Sequence, residues 1–383
     1  MLLAGMGASG PPVVALTTGD ELLRLKQDAM VVLIDDQIAF VRARRAVRIT
    51  TSPTWEAVAQ ALIEGTRSDR VRLLAGEGSD ASSTLESLVG ALHNIGALEA
   101  PPRETRLSGA ILERHRRTLR FFGTHESPGV DRFSYLERLL NAKVFVVGLG
   151  GVGSWIAYQL LMSGVGTVSG CDGDVVEMSN LNRTALISPD DVGNPKTEVL
   201  HRHFAERFPD AALNFSRRVV TSVEDLADMA AGHDLIIGAA DQPYLSIRLW
   251  VSGASLKTGV PSLQTGGGRV GPLFVPGRTS CAGCLHAALL RSSGAAARGA
   301  QTDHFPMPQV GTLCPQPAAD SAMVALEAVR FLTGCTAPVT LDAYLQKGAG
   351  LLDGVVHELP PQKDCVISCG GHKSPTRSGK EVK

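Results

Sequence analysis

Apolar and polar positions along the 383 residues switch period several times, and each switch marks an element. From Met30 to Ile49 they alternate with a period of two, interrupted by two turn-like breaks, which predicts a three-stranded antiparallel ribbon. The spacing then becomes helical. Thr51-Ser-Pro-Thr caps a helix with Trp55, Val58, Leu62 and Ile63 on one face, and residues 80–93 carry Leu85, Leu88, Val89 and Leu92. Strands followed by helices predict a small winged-helix-like α+β domain over residues 1–100, after a Gly/Pro-containing start to about Pro12. The prolines of Leu98-Glu-Ala-Pro-Pro-Arg read as a linker, residues 111–122 as a short basic helix or turn, and residues 132–141 as a helix with Leu136, Leu139 and Leu140 apolar.

Beyond residue 143 the pattern is of buried strands alternating with helices. Val144-Phe-Val-Val is a β-branched run, residues 155–163 are helical, and Thr167 to Asp172 form a second strand. Asn194-Pro-Lys opens a helix carrying Val199, Leu200 and Phe204, residues 233–241 read as a buried strand, and residues 319–332 as a helix. This order predicts a second domain, residues 101–383, of α/β class: a Rossmann-like sheet with helices on both faces.

The first strand ends in Gly148-Leu-Gly150-Gly151-Val-Gly153, a turn whose bare backbone can approach a polyphosphate and hand it to a helix N-terminus. NAD, FAD and ATP all remain open at this point. Asp172, 19 residues beyond Gly153, stands where an acid holds a ribose, which suits a dehydrogenase equally well. The segment Asp172-Gly-Asp174-Val-Val-Glu-Met-Ser-Asn180-Leu-Asn-Arg183, followed by Lys196, decides the matter. Asp174 belongs to the same nucleotide-binding set. A planar guanidinium, an ammonium and a neutral amide donor are what a triphosphate requires. Asp241, at the C-terminal end of the next strand, would repel bare phosphates, so its expected role is to hold Mg²⁺.

GxGGxG, DxDxVExSNLNR, a lysine 13 residues after the arginine, and the later aspartate resemble the ThiF/MoeB superfamily of ubiquitin-activating-type adenylating enzymes over about residues 111–370. The resemblance implies that Asp172 binds the ribose, that Asn180, Arg183 and Lys196 hold the triphosphate of ATP, and that Asp241 holds magnesium. Arg114-His-Arg116-Arg117 resembles the basic motif that reaches the nucleotide of a partner subunit, with Arg117 the favoured residue, and so implies a homodimer with composite sites.

The reaction expected is attack of a substrate carboxylate on the α-phosphate of ATP. A carboxylate is already ionised at pH 7, so no general base is needed, and Arg183, Lys196, Asp241 and Arg117 form the expected catalytic set.

Composition narrows the setting. A formal net charge of −1 gives no overall reason to expect nucleic acid or an anionic membrane as partner, although Arg42, Arg44, Arg45 and Arg48 on one hairpin could meet an acidic peptide. The start of the chain lacks a basic leader and no run of about 18 apolar residues occurs, so a cytoplasmic location is expected. Seven cysteines argue for metal ligation or free thiols. Cys281-x-x-Cys284 and Cys365-x-x-x-Cys369 together predict a four-thiolate structural zinc site. Cys171 and Cys335 read as small buried residues. Cys314 lies near the end of a proline-rich loop, residues 292–317, just before the helix from Ala319, a place where some members of the superfamily carry an acyl-accepting thiol.

An N-terminal unit of about 100 residues fused to a compact adenylation domain most resembles the microcin C maturation type of enzyme. That resemblance implies ATP-dependent activation of a carboxylate or carboxamide in a ribosomally made precursor peptide, its leader held by the N-terminal domain. Two alternatives stay open: adenylation of a ubiquitin-like or sulfur-carrier protein, with or without thioester transfer through Cys314, and a non-catalytic leader-binding partner of another enzyme.

Overall fold

The computed structural model describes residues 22–42, 44–99, 105–126, 130–184, 186–292, 311–348 and 354–370. The Gly/Pro start, most of the 98–103 linker and most of the 292–317 loop lie outside them. The chain divides into two compact units, Met1–Leu136 and Glu137–Lys383.

In the first unit Leu22–Leu23 (β1) pairs antiparallel with Thr66–Arg67 (β5), apart from a three-stranded antiparallel sheet of β2 (Ala29–Ile34), β3 (Gln37–Arg42) and β4 (Arg45–Thr50). The ribbon thus forms where the alternation predicts it. Ile38 opposes Ile49 and Phe40 opposes Val47, so one face of the sheet is apolar. The helices α1 (Pro53–Glu64), α2 (Ser68–Ala75) and α3 (Ser79–Asn94) cover that face with Val58, Leu62, Val71, Leu85, Leu88 and Leu92. Ser52 caps α1 by accepting from the Trp55 N–H. Ile63 is exposed, against expectation, because one helical step of about 100° carries it off the stripe of Val58 and Leu62. Helix α2 escaped the pattern: it buries only Ser68, Val71 and Ala75. Two short helices follow, α4 (Gly109–Arg114) and α5 (Arg116–Gly123), then α6 (Arg132–Asn141).

The second unit is an eight-stranded sheet flanked by helices. Five strands run parallel: β6 (Lys143–Val147), β7 (Thr167–Cys171), β8 (Ala212–Ser216), β9 (Leu235–Gly238) and β10 (Ser262–Gly266), in the order β10-β9-β6-β7-β8. Beyond β10 the sheet continues antiparallel through β11 (Arg269–Phe274), β12 (Ala343–Lys347) and β13 (Gly354–Glu358). The helices are α7 (Gly153–Ser163), α8 (Lys196–Arg207), α9 (Val223–Ala230), α10 (Ser246–Thr258), α11 (Ala282–Ser292) and α12 (Pro315–Thr333). Phe145, Val147 and Ile236 pack with Leu226, Ala230 and Val251 of α9 and α10. Val144 and Val146, on the opposite face of β6, are also fully buried, so the sheet is covered on both sides.

Strand order reverses between β6 and β9. Crevices at such switch points, at the C-terminal strand ends, are where open α/β sheets bind ligands, and the glycine turn leaves β6 at that point.

Candidate nucleotide site and cysteine cluster

The glycine turn is shaped by close approaches. Gly148 has φ +86°, and a Cβ there would lie 2.8–2.9 Å from Ala240, which follows β9. A Cβ on Gly153 would overlap the Gly148 carbonyl oxygen. Gly150 instead faces open space, and Gly151 faces the Arg183 side chain, with Cγ 3.1 Å from a Cβ placed there. Helix α7 starts without a side-chain cap, which leaves N–H groups for an anion. The Ser321 hydroxyl of α12 shares its one proton between the Pro317 carbonyl at 2.5 Å and the Val152 carbonyl at 2.8 Å, which brings α12 against the turn.

Asp172 fixes the turn. One carboxylate oxygen accepts from the Leu149 N–H at 2.7 Å and the other from the Asp174 N–H at 2.9 Å, which fixes the turn to the end of β7. Lys196 lies beside it, its Nζ 2.7 Å from Asp174 and 3.9 Å from Asp172. Arg183 is held by Ser179 O (2.5 Å) and Asn182 Oδ1 (3.1 Å), while its carbonyl accepts from Trp155 Nε1 at 3.0 Å. Asn180 is buried; its Oδ1 accepts from the Glu177 N–H at 3.2 Å and closes the 3-10 turn at residues 178–180, and its Nδ2 makes a long contact of 3.4 Å to Ser179. The glycine turn, Asp172, Asp174, Arg183 and Lys196 therefore lie together, with Asn180 buried in the segment between Asp174 and Arg183. Asp241 is exposed, three residues past β9 at the same sheet edge. An exposed carboxylate there suits a hard cation that keeps several waters. Arg114, Arg116 and Arg117 belong to the first unit and are exposed on α4 and α5; Arg116 pairs with Glu113 at 3.6 Å. The expected single basic segment is broken at His115, which is buried and whose pKa is lowered by burial and then by Arg114.

Sequence reasoning missed the clamp that presents Lys196. Asp191 is buried in the loop before α8, where its carboxylate accepts from Ser188 N and Oγ at 2.8 and 3.0 Å and pairs with Arg202 and His203. The loop then bonds across to Val176 through Gly193 and Asn194, and the Lys196 N–H reaches Asp174 O at 3.1 Å. Burial pushes the Asp191 carboxyl up, but the Ser188 and His203 hydrogen bonds outweigh it and the net pKa is lowered. A carboxyl lowered on folding stabilises above its unfolded value of about 3.9 and ceases to do so as pH falls through the folded value. Asp191→Asn is expected to cost about 1–3 kcal/mol at pH 7 in urea unfolding. The loss should shrink below about pH 4. An unchanged stability difference across that range would contradict this account.

Cys281, Cys284, Cys365 and Cys369 are all buried, and their sulfurs lie within 4.8 Å of one another. Three pairs stand at 3.5–3.6 Å. Four thiolates tetrahedral around zinc at about 2.3 Å would stand about 3.8 Å apart, so the donor set fits the ion. The thiols of Cys281 and Cys369 lower the Cys284 pKa, and the same contact with Cys284 raises Cys281. Cys171 lies in β7, pushed up to about 12 by burial, and Cys335 is half-buried after α12. Cys314 is half-exposed immediately before α12.

With this geometry in view, comparison with known proteins is direct. Residues 113–365 match the ThiF family model. Sulfur carrier protein ThiS adenylyltransferase of Escherichia coli is 28% identical over 206 residues, 53% of this chain and 76% of that protein. Its Bacillus subtilis counterpart is 34% identical over 158 residues, 40% of this chain and 46% of that protein. Among solved structures, E. coli MccB with ATP superposes with a TM-score of 0.70 at 20% identity, covering 91% of this chain and 99% of MccB. MccB in complex with N-formylated MccA gives 0.71 at 20%, covering 91% and 100%. The chain belongs to the ThiF family, the class of enzyme that includes those adenylyltransferases. Its fold, small N-terminal sheet included, is that of MccB, the microcin C7 biosynthetic enzyme.

Proposed function

We propose that this chain uses ATP to adenylate a carboxylate or carboxamide on a ribosomally made precursor peptide. The observation that carries the reading is the placement of Arg183 over Gly151 and of Lys196 beside Asp172 and Asp174, all at the switch point of the sheet. In the carboxylate case, a substrate oxygen attacks the α-phosphorus, the bond to the bridging β-oxygen breaks, and pyrophosphate leaves with the electron pair. Free N–H groups of α7 and the glycine turn hold phosphate oxygens, Asp172 orients the turn and the ribose, and Arg183 and Lys196 neutralise charge that grows on the leaving group. Asp241 would hold Mg²⁺, which supplies charge neutralisation on the phosphates. The four cysteines would hold a structural Zn²⁺. The exposed Arg117 would reach the nucleotide of a partner subunit in a homodimer.

Peptide binding is supported by the first unit. β2 lies at the edge of its sheet, and Met30, Leu33 and Ile34 on it are 61%, 64% and 42% exposed, an unusual apolar display for an edge strand. MccB, whose fold this is, binds MccA in its solved complexes. Arg44, Arg45 and Arg48 are exposed as well, while Arg42 is tied to Asp28 and to Thr124 O.

ATP–pyrophosphate exchange with peptides from short reading frames beside the gene tests the reading. Exchange supported by none of them, with ATP still bound, sinks it. The thioester alternative makes a separate demand on Cys314. Cys314→Ala is expected to leave peptide-dependent exchange within about twofold and to leave the final modified product, read by mass spectrometry, unchanged. Loss of product with exchange intact would favour acyl transfer through that thiol.

A further inference from the structure

We propose that the tip of the β10–β11 hairpin is a carboxylate subsite, built from Arg248, Arg269 and Tyr244, that holds the C-terminal carboxylate of the peptide substrate. The proposal rests on the adenylation reading for its purpose but not for its geometry.

The hairpin turns on Gly267 and Gly268, with φ of +61° and +72°, between the paired residues Gly266 and Arg269. Two positive φ values make the two-residue turn that glycines favour, and they leave the tip bare of side chains. Donors surround it. A Cβ on Gly267 would lie 3.2 Å from the Tyr244 hydroxyl and 3.3 Å from Arg269 Nη1, and one on Gly266 would lie against Arg248 Nη2. Two guanidinium groups and a phenol therefore converge on the volume that three absent side chains leave open. Arg248 stacks on the Tyr244 ring, 4.2 Å from its centroid, and also donates to the Tyr244 carbonyl, which fixes both groups.

Among the described residues Arg269 Nε is a buried donor without a hydrogen-bond partner; Gln264 Oε1, likewise unpartnered, is an acceptor on the side chain that faces α10. Gln264 is 3% exposed and stands at the irregularity in the β10–β11 ladder, where the register shifts by one residue between Leu263 and Thr265. An arginine nitrogen left unpartnered inside a protein calls for an acceptor, since an unmade buried hydrogen bond is costly, and the positive charge of two guanidinium groups favours an anionic one.

Position on the sheet selects the kind of anion. In the order β11-β10-β9-β6-β7, Asp241 follows β9, with the hairpin on one side and the glycine turn, Asp172 and Asp174 on the other. Adjacent strands lie about 4.8 Å apart, so the hairpin tip is about 10 Å from the turn after β6. The triphosphate has its own cations, Arg183 and Lys196, on the β7 side. A second anionic group on the far side of Asp241 therefore belongs to the substrate and not to the nucleotide. A bare glycine tip admits an extended chain end, and paired guanidinium donors match a carboxylate.

The test uses the full-length chain without ATP and two probes, N-acetylglycylglycine and its C-terminal amide, followed by saturation-transfer NMR. The acid is expected to bind at least tenfold more tightly than the amide. Arg269→Gln should abolish that preference and Tyr244→Phe should reduce it severalfold, with both variants keeping the wild-type circular dichroism. Arg183→Gln, on the triphosphate side, should retain the preference. Equal binding of acid and amide, binding of neither, or a preference lost in Arg183→Gln but kept in Arg269→Gln would overturn the proposal. Failure of the adenylation reading shows differently, as absent pyrophosphate exchange with the acid preference intact.

Discussion

Asp241→Ala is expected to lower peptide-dependent ATP–pyrophosphate exchange by about 1000-fold or more, with melting temperature and peptide affinity unchanged. The magnitude follows from the reaction. No proton has to be removed from an ionised carboxylate, so the barrier is dominated by bringing two anions together and dispersing the charge released on pyrophosphate. Loss of a metal-holding carboxylate removes several kcal/mol of that dispersal, and each 1.4 kcal/mol is tenfold in rate. Stability should not suffer, because Asp241 is exposed beyond the end of β9. Asp241→Asn keeps the shape and discards the charge, so it should be nearly as impaired as the alanine variant. Exchange within tenfold of wild type in both variants would remove Asp241 from the catalytic set. Raising Mg²⁺ should partly restore Asp241→Asn, an effect that a purely structural role would not produce.

The parts of this site legible in the sequence are those built within short reach along the chain. Gly148 to Gly153 and Asp172 form a strand, turn, helix and strand in succession, and the hydrogen bond from Leu149 N to Asp172 closes that local unit. Arg183 and Lys196 follow on the next loop, so their convergence was implied by order alone. The three-stranded ribbon and helices α1 and α3 were equally plain, because each carries one clean apolar face. The cysteines are the exception to locality: Cys281 and Cys365 are 84 residues apart, yet thiol pairs are rare enough for their chemistry to match them.

What stayed hidden depends on contacts that no periodicity encodes. Ser321 reaches the Val152 carbonyl across 169 residues, and a serine in a helix gives no sign of it. Asp191 looks like a loop acid until burial and its Ser188, Arg202 and His203 partners are known. Asn180 reads as a ligand donor, and nothing in the sequence shows that its Oδ1 also accepts from the Glu177 N–H. Tyr244, Arg248 and Arg269 come from a loop, a helix and a strand, and only the sheet order brings them to the same tip. Helix α2 was missed because it is only eight residues long and its apolar residues do not form one inward stripe, Val71 and Ala75 being buried and Leu73 exposed.

The largest effect on the fold is expected at the cysteine cluster. Cys365→Ser should take zinc from one ion per chain to less than about a tenth, and lower the melting temperature by about 10 °C, the shift that several kcal/mol produces in a domain of this size. Cys281 lies just before α11 and Cys284 in its first turn, and Cys365 and Cys369 lie beyond β13, one of the two edge strands. Few apolar groups share the local core besides Phe274, Leu285 and Leu359, so a cross-link there carries much of the stability that a larger core would supply. Serine is near in shape to cysteine but a poor zinc ligand, which separates metal loss from cavity formation. Chelation of the wild-type chain should reproduce the destabilisation, and added zinc should reverse it in the wild type only. Unchanged metal content in Cys365→Ser would show that the four sulfurs are a packed thiol cluster and not a metal centre. Exchange activity should survive in the variant below its melting point, because the cluster's sulfurs are already committed to one another and none is left to meet substrate.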